Sequence, residues 1–292
     1  MSFRRLKYGT FSPNSYALSS TEKNSTAILP TRSLLFLSDV HLGAYSAEKN
    51  EVLENDLIRL IDYCAEHELA IVILGDFFDF WMEYPGNRVP PLGQKVLQRF
   101  HDFHKQTNSH TLFVTGNHDN WTNGYLRSLG FDVEHEYRII EESTVSIMVL
   151  HGDGLKDPQM RLPRPAMHRF LRNSYFTTLY RKMLPPRFGW MGMRLFSRSS
   201  RKSGNRKKNS DRHAILDAWA RNRVLTDDRI QAIVYGHHHQ SLLWKQNGLT
   251  CMNCGCFGTD YTLGLYANKA FELVTWDVDS KTLATSGINA DT

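Results

Sequence analysis

The chain has 292 residues, of which 41% are hydrophobic, so it is long enough to bury a substantial core in one large domain or two small ones. No segment approaches the roughly 18–20 consecutive apolar residues of a membrane span. The net charge of +5 is the sum of +14 in residues 155–212, which hold 16 Lys and Arg but only two acids, and −9 in the rest of the chain, so a basic surface would be local.

Residues 1–30 are polar and rich in Ser and Thr. They lack the apolar segment of about 7–15 residues that a secretory signal needs. We therefore predict a flexible N-terminal extension, a cytoplasmic location, and a globular domain that covers residues 31–292.

Beyond the extension, predicted strands alternate with predicted helices, which favours an α/β layered fold. Buried strands are predicted in the apolar runs of SLLFLSDVHLG, LAIVILGDFFDFW, TLFVTGNHD, VSIMVLHGD and IQAIVYGHHH. Helices are predicted over residues 47–67, 91–106 and 212–224, and shorter strands in SLLWKQ, LTCMNC and KAFELVTWDV.

Five of these apolar runs end in a polar cluster, namely SDVHLG, LGDFFD, TGNHD, LHGDG and YGHHHQ. In open α/β sheets the carboxyl ends of the strands converge on one crevice. The side chains predicted to meet there are Asp39, His41, Asp76, Asn117, His151 and two of the three histidines at 237–239. Seven such ligands with one shared carboxylate suit two divalent first-row ions about 3.5–4 Å apart.

The spacing within two clusters predicts which side chains act together. In an extended segment, residues i and i+2 point the same way, so Asp39 and His41 can hold one ion. By the same rule, either His237 and His239 face the site or His238 alone does, and only the pair completes two coordination shells. We expect replacement of His238 to cost little.

The basic segment at about 155–212 interleaves Arg and Lys with Met, Leu and aromatic residues. The pattern predicts two amphipathic helices separated by Pro185-Pro186, which cannot continue a helix. Such a pair can lie on an anionic membrane, cap a long-chain substrate, grip nucleic acid, or simply pack on the body. The Met and Leu content favours acyl chains over bases.

The motifs D-x-H, G-D-x-x-D, G-N-H-D, H-G-D and G-H-x-H occur in this order over residues 39–239. As a set they resemble the calcineurin-like metallophosphoesterase superfamily. The resemblance implies a four-layer αββα sandwich with a two-metal centre and, here, a helical lid inserted at about 155–212. It implies one metal on Asp39, His41, Asp76 and His239, and the other on Asp76, Asn117, His151 and His237, with Asp76 bridging the two.

Two such ions would activate a water molecule and neutralise charge on the phosphoryl oxygens. His118 is not needed as a ligand, so we expect it to stabilise the transition-state oxygens or to protonate the leaving oxygen. Asp119 is expected to orient His118, and Asp79 can do similar work.

The runs LGDFFDFWMEYPGNRVPP, GNHDNW and LHGDGLKD, and an insertion ending in SRSSRKSGNRKK, further resemble the UDP-2,3-diacylglucosamine diphosphatase family. This resemblance implies cleavage of the diphosphate to UMP and 2,3-diacylglucosamine 1-phosphate in lipid A synthesis. Manganese is the metal it implies, with Fe²⁺, Zn²⁺, Co²⁺ and Mg²⁺ as alternatives. The substrate contacts carried over from the family are Asn117, His118, Asp157, Arg198, Arg201, Ser203 and Asn205.

The basic amphipathic lid predicts a protein that is peripheral on the cytoplasmic face of the inner membrane, with no stable nucleic acid partner. The alternative function is a metal-dependent phosphodiesterase or nuclease that acts on nucleotides or nucleic acid.

Overall fold

The structure is a computed structural model that describes residues 33–142, 144–202 and 206–287, without the side chains of residues 199–202 and 206–212. The predicted extension at residues 1–30 lies outside the described residues.

The elements of the described residues follow the predicted alternation of strand and helix. The helices are α1 (Ala47–Glu66), α2 (Gln94–Thr107), α3 (Tyr125–Ser128), α4 (Ala166–Leu171), α5 (Ser174–Met183), α6 (Pro186–Lys202), α7 (Arg206–Thr226) and α8 (Phe257–Asp260). The strands are β1 (Leu34–Leu37), β2 (Ala70–Ile73), β3 (Thr111–Val114), β4 (Phe131–Glu134), β5 (Tyr137–Glu142), β6 (Val145–Leu150), β7 (Ala232–Tyr235), β8 (Ser241–Gln246), β9 (Leu249–Cys254), β10 (Thr262–Ala267), β11 (Ala270–Asp277) and β12 (Thr282–Thr285).

The strands form two sheets. The first has the order β12-β11-β10-β1-β2-β3-β4 and the second the order β5-β6-β7-β9-β8. Strands β1 to β4 are parallel neighbours, and β6 runs parallel to β7. Parallel neighbours end at the same edge of a sheet, so the loops after β1, β2 and β3 lie side by side.

The alternation of side chains along the strands divides the core into layers. Leu34 and Phe36 of β1 point into the core between the two sheets. Leu35 and Leu37 point the opposite way, into the core shared with α1 and α2. A third core lies between the second sheet and α7, where Trp219 packs. The layers are therefore helix, sheet, sheet and helix, which confirms the predicted α/β fold class.

Some elements were not predicted from the sequence, namely the strands β4, β5, β10 and β12 and the short helices α3 and α8. Strand β10 contains Gly264, and glycine normally weakens a strand. Here a Cβ at that position would lie only 2.4 Å from Cε of Met252. Packing against the neighbouring sheet therefore requires glycine at position 264. Because glycine is unusual within strands, the sequence pattern did not predict a strand here.

The insertion contains three helices before α7 where two were predicted, because α4 and α5 are separate. Helix α4 ends at Leu171, and Asn173 caps α5 by accepting a hydrogen bond from the Phe176 N–H at 3.0 Å. An Asn side chain at this position satisfies a backbone donor that a continuous helix would use internally. The Asn173 cap therefore starts a second helix within the segment that was predicted to form a single helix.

Helix α5 also has two apolar faces in place of the single face predicted. Phe176 and Tyr180 pack on Trp121 of the body, with ring centroids 5.8 and 5.1 Å away. The stripe i, i+4, i+8 on another side of the helix is exposed, and it consists of Tyr175, Leu179 and Met183. One face of α5 therefore holds the insertion on the body and the other meets the surroundings.

Candidate metal centre

Side chains that follow β1, β2, β3, β6 and β7 meet at one place. Three overlapping groups place their ligand atoms within 4.8 Å of one another: Asp39, His41 and His239; Asp76, His151 and His237; and His41, Asp76 and His118. We call Asp39, His41 and His239 the first cluster. We call Asp76, Asn117, His151 and His237 the second cluster.

In the first cluster, one carboxylate oxygen and two imidazole nitrogens lie close together and face a common point. Nε2 of His239 lies 3.2 Å from Nε2 of His41 and 3.2 Å from Oδ1 of Asp39. The other oxygen of Asp39 is already used, because Ser38 Oγ and the His237 N–H donate to Oδ2 at 2.5 and 2.8 Å. Oδ1 is buried and has no hydrogen-bond partner among the described residues.

The second cluster is arranged around His151. Its Nε2 lies 3.2 Å from Oδ1 of Asn117, 3.2 Å from Nδ1 of His237 and 3.4 Å from Oδ2 of Asp76. Its Nδ1 lies 2.7 Å from the carbonyl oxygen of Leu74. A carbonyl only accepts, so Nδ1 carries a hydrogen and Nε2 faces the cluster, where the neutral imidazole would present its lone pair, as in metal-binding histidines.

Asp76 connects the two clusters. Its Oδ2 lies 3.4 Å from Nε2 of His151 and 3.9 Å from Nε2 of His41, and its Oδ1 accepts the His118 N–H at 2.9 Å. This is the position expected of a bridging carboxylate.

These residues fit divalent metal ions. Ligands at about 2.1 Å from a tetrahedral ion are about 3.4 Å apart, close to the separations within each cluster. The partnerless oxygen of Asp39 also fits, because a buried carboxylate oxygen without a donor is costly unless a cation lies beside it. Carboxylate, imidazole and amide oxygen donors suit borderline first-row metals.

The backbone reaches this arrangement differently from the prediction. Five of the predicted ligand residues have a left-handed backbone, with φ of 53° at Asp39, 52° at His41, 51° at Asp76, 81° at His237 and 60° at His239. They are therefore not extended, and the i, i+2 alternation argument gave the wrong reason for pairing His237 with His239. Each left-handed residue costs on the order of 1–3 kcal/mol unless its surroundings hold it.

Two glycines show how tightly the loops fit. A Cβ at Gly116 would lie 2.1 Å from Oδ1 of Asp76, and one at Gly236 would lie 1.8 Å from Oγ of Ser38. No side chain fits at either position, so glycine before Asn117 and His237 lets the loops approach each other.

His238 points away from both clusters, but it is not a free residue. It is buried, its Nε2 lies 2.9 Å from Oδ1 of Asp217 on α7, and its Nδ1 accepts the Gln240 N–H at 3.3 Å. Tyr235 donates to the same Asp217 oxygen at 2.6 Å. His238 therefore points away as expected, but its contacts fasten the loop that carries two of the predicted ligands, so we revise the expectation that its replacement costs little.

His118 is held from the side opposite the clusters. Its Nδ1 lies 2.7 Å from the carbonyl oxygen of Asp79 and 3.3 Å from Oγ of Ser197 on α6, and Ser197 donates to Oδ1 of Asp79 at 2.7 Å. Nδ1 therefore carries the hydrogen. Nε2 faces the centre, 4.0 Å from Oδ2 of Asp76.

Asp119 does not orient His118, contrary to the prediction. Its Oδ1 accepts the Gly116 N–H and its Oδ2 the Phe77 N–H, each at 2.7 Å. The Asp119 carboxylate therefore accepts from one backbone N–H of the loop after β3 and one of the loop after β2, and it connects these two adjacent loops.

Of the predicted substrate residues, Asn117 and His118 lie at the centre, whereas those from the insertion do not all reach it. Asp157 is exposed and caps a short turn by accepting the Gln159 N–H at 2.9 Å, so the structure does not bring it to the clusters. Arg198 is exposed on α6. The Arg201 side chain, Ser203 and Asn205 lie outside the described residues.

Sequence reasoning missed three residues that hold the centre in place. Asp153 pairs with Arg172 beside the second cluster, and Ser197 contacts Asp79 and His118. Asp153 is the acid of the H-G-D motif, so a signal for it was present. Arg172 and Ser197 lie in the insertion, and their partners are 19 to 118 residues away in the sequence. No local pattern marks such a residue.

The charges in the centre depend on one another. Burial alone would lower the pKa of His151, but the Asp76 carboxylate raises it to about 10. Burial would likewise lower the pKa of His239, but the adjacent negative charge of Asp39, whose Oδ1 lies 3.2 Å from Nε2, raises it to about 11. Burial and the neighbouring His151 lower the pKa of His237 to about 3.

The profile of the calcineurin-like phosphoesterase family matches residues 32–241. The UDP-2,3-diacylglucosamine hydrolase of Proteus mirabilis is 27% identical over 70% of this chain and 81% of its own length. The hydrolase of the same name from Neisseria gonorrhoeae is 27% identical over 77% of this chain and 90% of its own length.

Among solved structures, an archaeal phosphodiesterase has a TM-score of 0.43 at 10% identity, with 82% of this chain and 98% of that chain covered. Vacuolar protein sorting 29 of Cryptosporidium parvum has a TM-score of 0.41 at 14% identity, with 88% and 96% covered.

We predict that metal binding releases protons and strengthens as the pH rises. After a chelator has removed metal, His151 and His239 hold protons at neutral pH, because their pKa values are raised to about 10 and 11. A metal ion needs the neutral imidazole, so about one to two protons must leave on binding. Calorimetric titration with Mn²⁺ at pH 6–8, in buffers of different ionisation enthalpy, measures the release. An affinity independent of pH and buffer would contradict the assignment.

We also predict that His238→Ala lowers Mn²⁺ affinity about tenfold and destabilises the protein by about 1–3 kcal/mol. The reason is that the Asp217 carboxylate loses one of its two donors in the described part of the chain, keeping only Tyr235, and the loop of His237 and His239 loses its anchor. Metal titration and thermal unfolding measure the two effects. His213→Ala is the matched control, because that ring stacks on His238 at 4.7 Å from α7 and is not part of the ligand loop. Wild-type affinity in His238→Ala would show that the loop holds itself.

Proposed function

Since the chain belongs to the calcineurin-like phosphoesterase family and is therefore a metal-dependent phosphoester hydrolase, we propose that it cleaves UDP-2,3-diacylglucosamine. The products are UMP and 2,3-diacylglucosamine 1-phosphate, as in lipid A synthesis. Two relatives named for this substrate match over 81% and 90% of their own lengths, so the resemblance extends well beyond the motifs.

The observation that carries the substrate proposal is a cavity of about 690 Å³ between α6 and the body. Phe80, Leu92 and Met191 contribute apolar surface, and Arg187 and Arg194 contribute cationic groups. Such a lining suits a ligand that combines an acyl chain with an anionic group. One wall begins at Gly43, two residues after His41, so the cavity adjoins the loop of the first cluster.

The two clusters would hold the ions, for which we propose Mn²⁺ as the metal that the resemblance to the diphosphatase family implies; their carboxylate, imidazole and amide donors suit first-row divalent ions in general. When bound, the ions supply activation of a water molecule and neutralisation of charge at the phosphoryl group. The chain supplies the rest. The Asp79 carbonyl keeps the hydrogen on Nδ1 of His118, so Nε2 is the atom that meets a phosphoryl or leaving oxygen.

We further propose that the insertion rests on an anionic membrane, which places the enzyme at the cytoplasmic face of the inner membrane. Large apolar side chains are exposed on its helices at Met167, Phe170, Tyr175, Leu179, Met183, Phe188, Met191, Leu195 and Phe196. Exposed basic side chains accompany them at Arg161, Arg169, Lys182, Arg187, Arg194 and Arg198. Exposed apolar and cationic groups that alternate along α4, α5 and α6 and the segment before them are the composition of an interfacial anchor.

This contact would be peripheral. Within the described part of the chain, no helix combines the length and the apolar character needed to cross a bilayer. Each basic side chain near an anionic surface contributes about 1 kcal/mol.

We predict that the Mn²⁺-loaded protein releases UMP from UDP-2,3-diacylglucosamine in preference to hydrolysing bis-p-nitrophenyl phosphate or single-stranded DNA. Asp76→Asn should lower the rate by about 10³-fold or more, because the shared carboxylate serves both ions. The control is Asp62→Asn, a half-exposed carboxylate paired with Arg99 on the surface. Chromatography of the nucleotide products measures the reaction. Efficient cleavage of DNA without release of UMP would support the nuclease alternative instead.

We predict that the protein sediments with vesicles that contain anionic lipid, and that added salt weakens this binding. Leu179→Asp and Met183→Asp should each lower the bound fraction several-fold, because a charge replaces apolar area that enters the interface. Val52→Asp is the matched control, because Val52 is equally exposed (55%, against 56% for Leu179) but lies on α1. Equal losses in all three variants would contradict a contact through the insertion.

A further inference from the structure

Arg172 lies at the junction of α4 and α5, where the insertion touches the loops of the second cluster. Only 9% of its side chain is exposed. An arginine buried to this degree requires partners for its donors, and its partners lie outside the insertion helices.

The guanidinium group joins three segments of the body. It pairs with both oxygens of Asp153, Nε with Oδ2 at 3.2 Å and Nη2 with Oδ1 at 3.1 Å. It donates to the carbonyl oxygens of Gly116 at 2.8 Å, Thr115 at 3.1 Å and His135 at 3.0 Å. The planar fork of arginine can satisfy these acceptors together, and a lysine cannot.

Two of these contacts adjoin metal ligands. Gly116 immediately precedes Asn117, and Asp153 follows His151 by two residues. The peptide groups of Gly116 are held on both sides, because its N–H donates to Asp119 and its carbonyl accepts from Arg172. The peptide that precedes Asn117 is therefore held in part by a residue of the insertion, beside Asn120, which donates to the same carbonyl at 3.2 Å.

We propose that Arg172 is a positioning residue that sets the metal affinity of the second cluster and couples that affinity to the placement of the insertion. The inference rests on the two-metal function proposed above. Because linkage is reciprocal, an ion in the second cluster also stabilises the insertion against the body. Whatever holds the α4–α5 junction in place would then strengthen metal binding.

Arg164 provides a matched comparison. Its side chain is 5% exposed and also approaches Asp153, with Nε 3.5 Å from Oδ2. Among the described residues its hydrogen bonds go to Glu136, at 3.1 and 3.2 Å. Removing it takes away a buried ion pair of the same kind without touching the Gly116 carbonyl.

The test is calorimetric titration of the full chain with Mn²⁺ in the variants Arg172→Lys, Arg172→Met, Arg164→Lys and Arg164→Met. We expect one of the two binding events to weaken by about 10–100-fold in both Arg172 variants, and both events to stay within about threefold of wild type in the Arg164 variants. Arg172→Lys keeps the charge and loses the fork, so it supports the inference even where Arg172→Met does not fold. Unchanged affinities in Arg172→Lys, or equal losses in the Lys variants at both positions, would overturn it.

Limited trypsin digestion of the arginine-rich insertion provides the second measurement. Mn²⁺ should slow cleavage in wild type and in Arg164→Lys, and should have little effect in Arg172→Lys. Wild-type protein that binds two ions without protection of the insertion would overturn only the coupling. Wild-type protein that binds no Mn²⁺ would overturn the proposed function as well.

Discussion

The Asp76 carboxylate is buried between imidazoles that come from both sheets: His41 follows β1 in the first, and His151 follows β6 in the second. Burying a carboxylate costs several kcal/mol unless opposite charge and hydrogen bonds compensate. Here the compensation comes from the two histidines, from the His118 N–H and from the ions for which the clusters are suited. Because the imidazoles belong to different sheets, their separation depends on how the two sheets pack.

That packing explains the composition of the core between the sheets. Phe36 of β1 and Val149 of β6 are fully buried there. A cavity or an extra methylene at such a position would shift one sheet against the other. The apolar side chains between the sheets therefore help to set the distance between the imidazoles of His41 and His151.

The sequence was sufficient for the fold class and for the residues that meet at the centre, because both depend on local signals. Apolar runs predict buried strands, and polar residues at their ends predict a shared edge. The failures have physical causes. His237 and His239 face the centre through left-handed turns rather than through alternation, Asp119 binds backbone N–H groups instead of His118, and the partners of Arg172 are distant along the chain. Strand β10 was missed because its glycine serves the neighbouring sheet.

The left-handed backbone of the ligand loops limits which amino acids the chain can carry there. Aspartate, asparagine and histidine adopt positive φ more readily than most residues, whereas β-branched residues rarely do. The same three residue types supply the oxygen and nitrogen donors of the two clusters. The backbone conformation and the need for donor atoms thus favour the same few residue types at five positions: Asp39, His41, Asp76, His237 and His239. A substitution at one of these positions therefore has two consequences at once, because it removes a donor atom and it strains the turn that carries it.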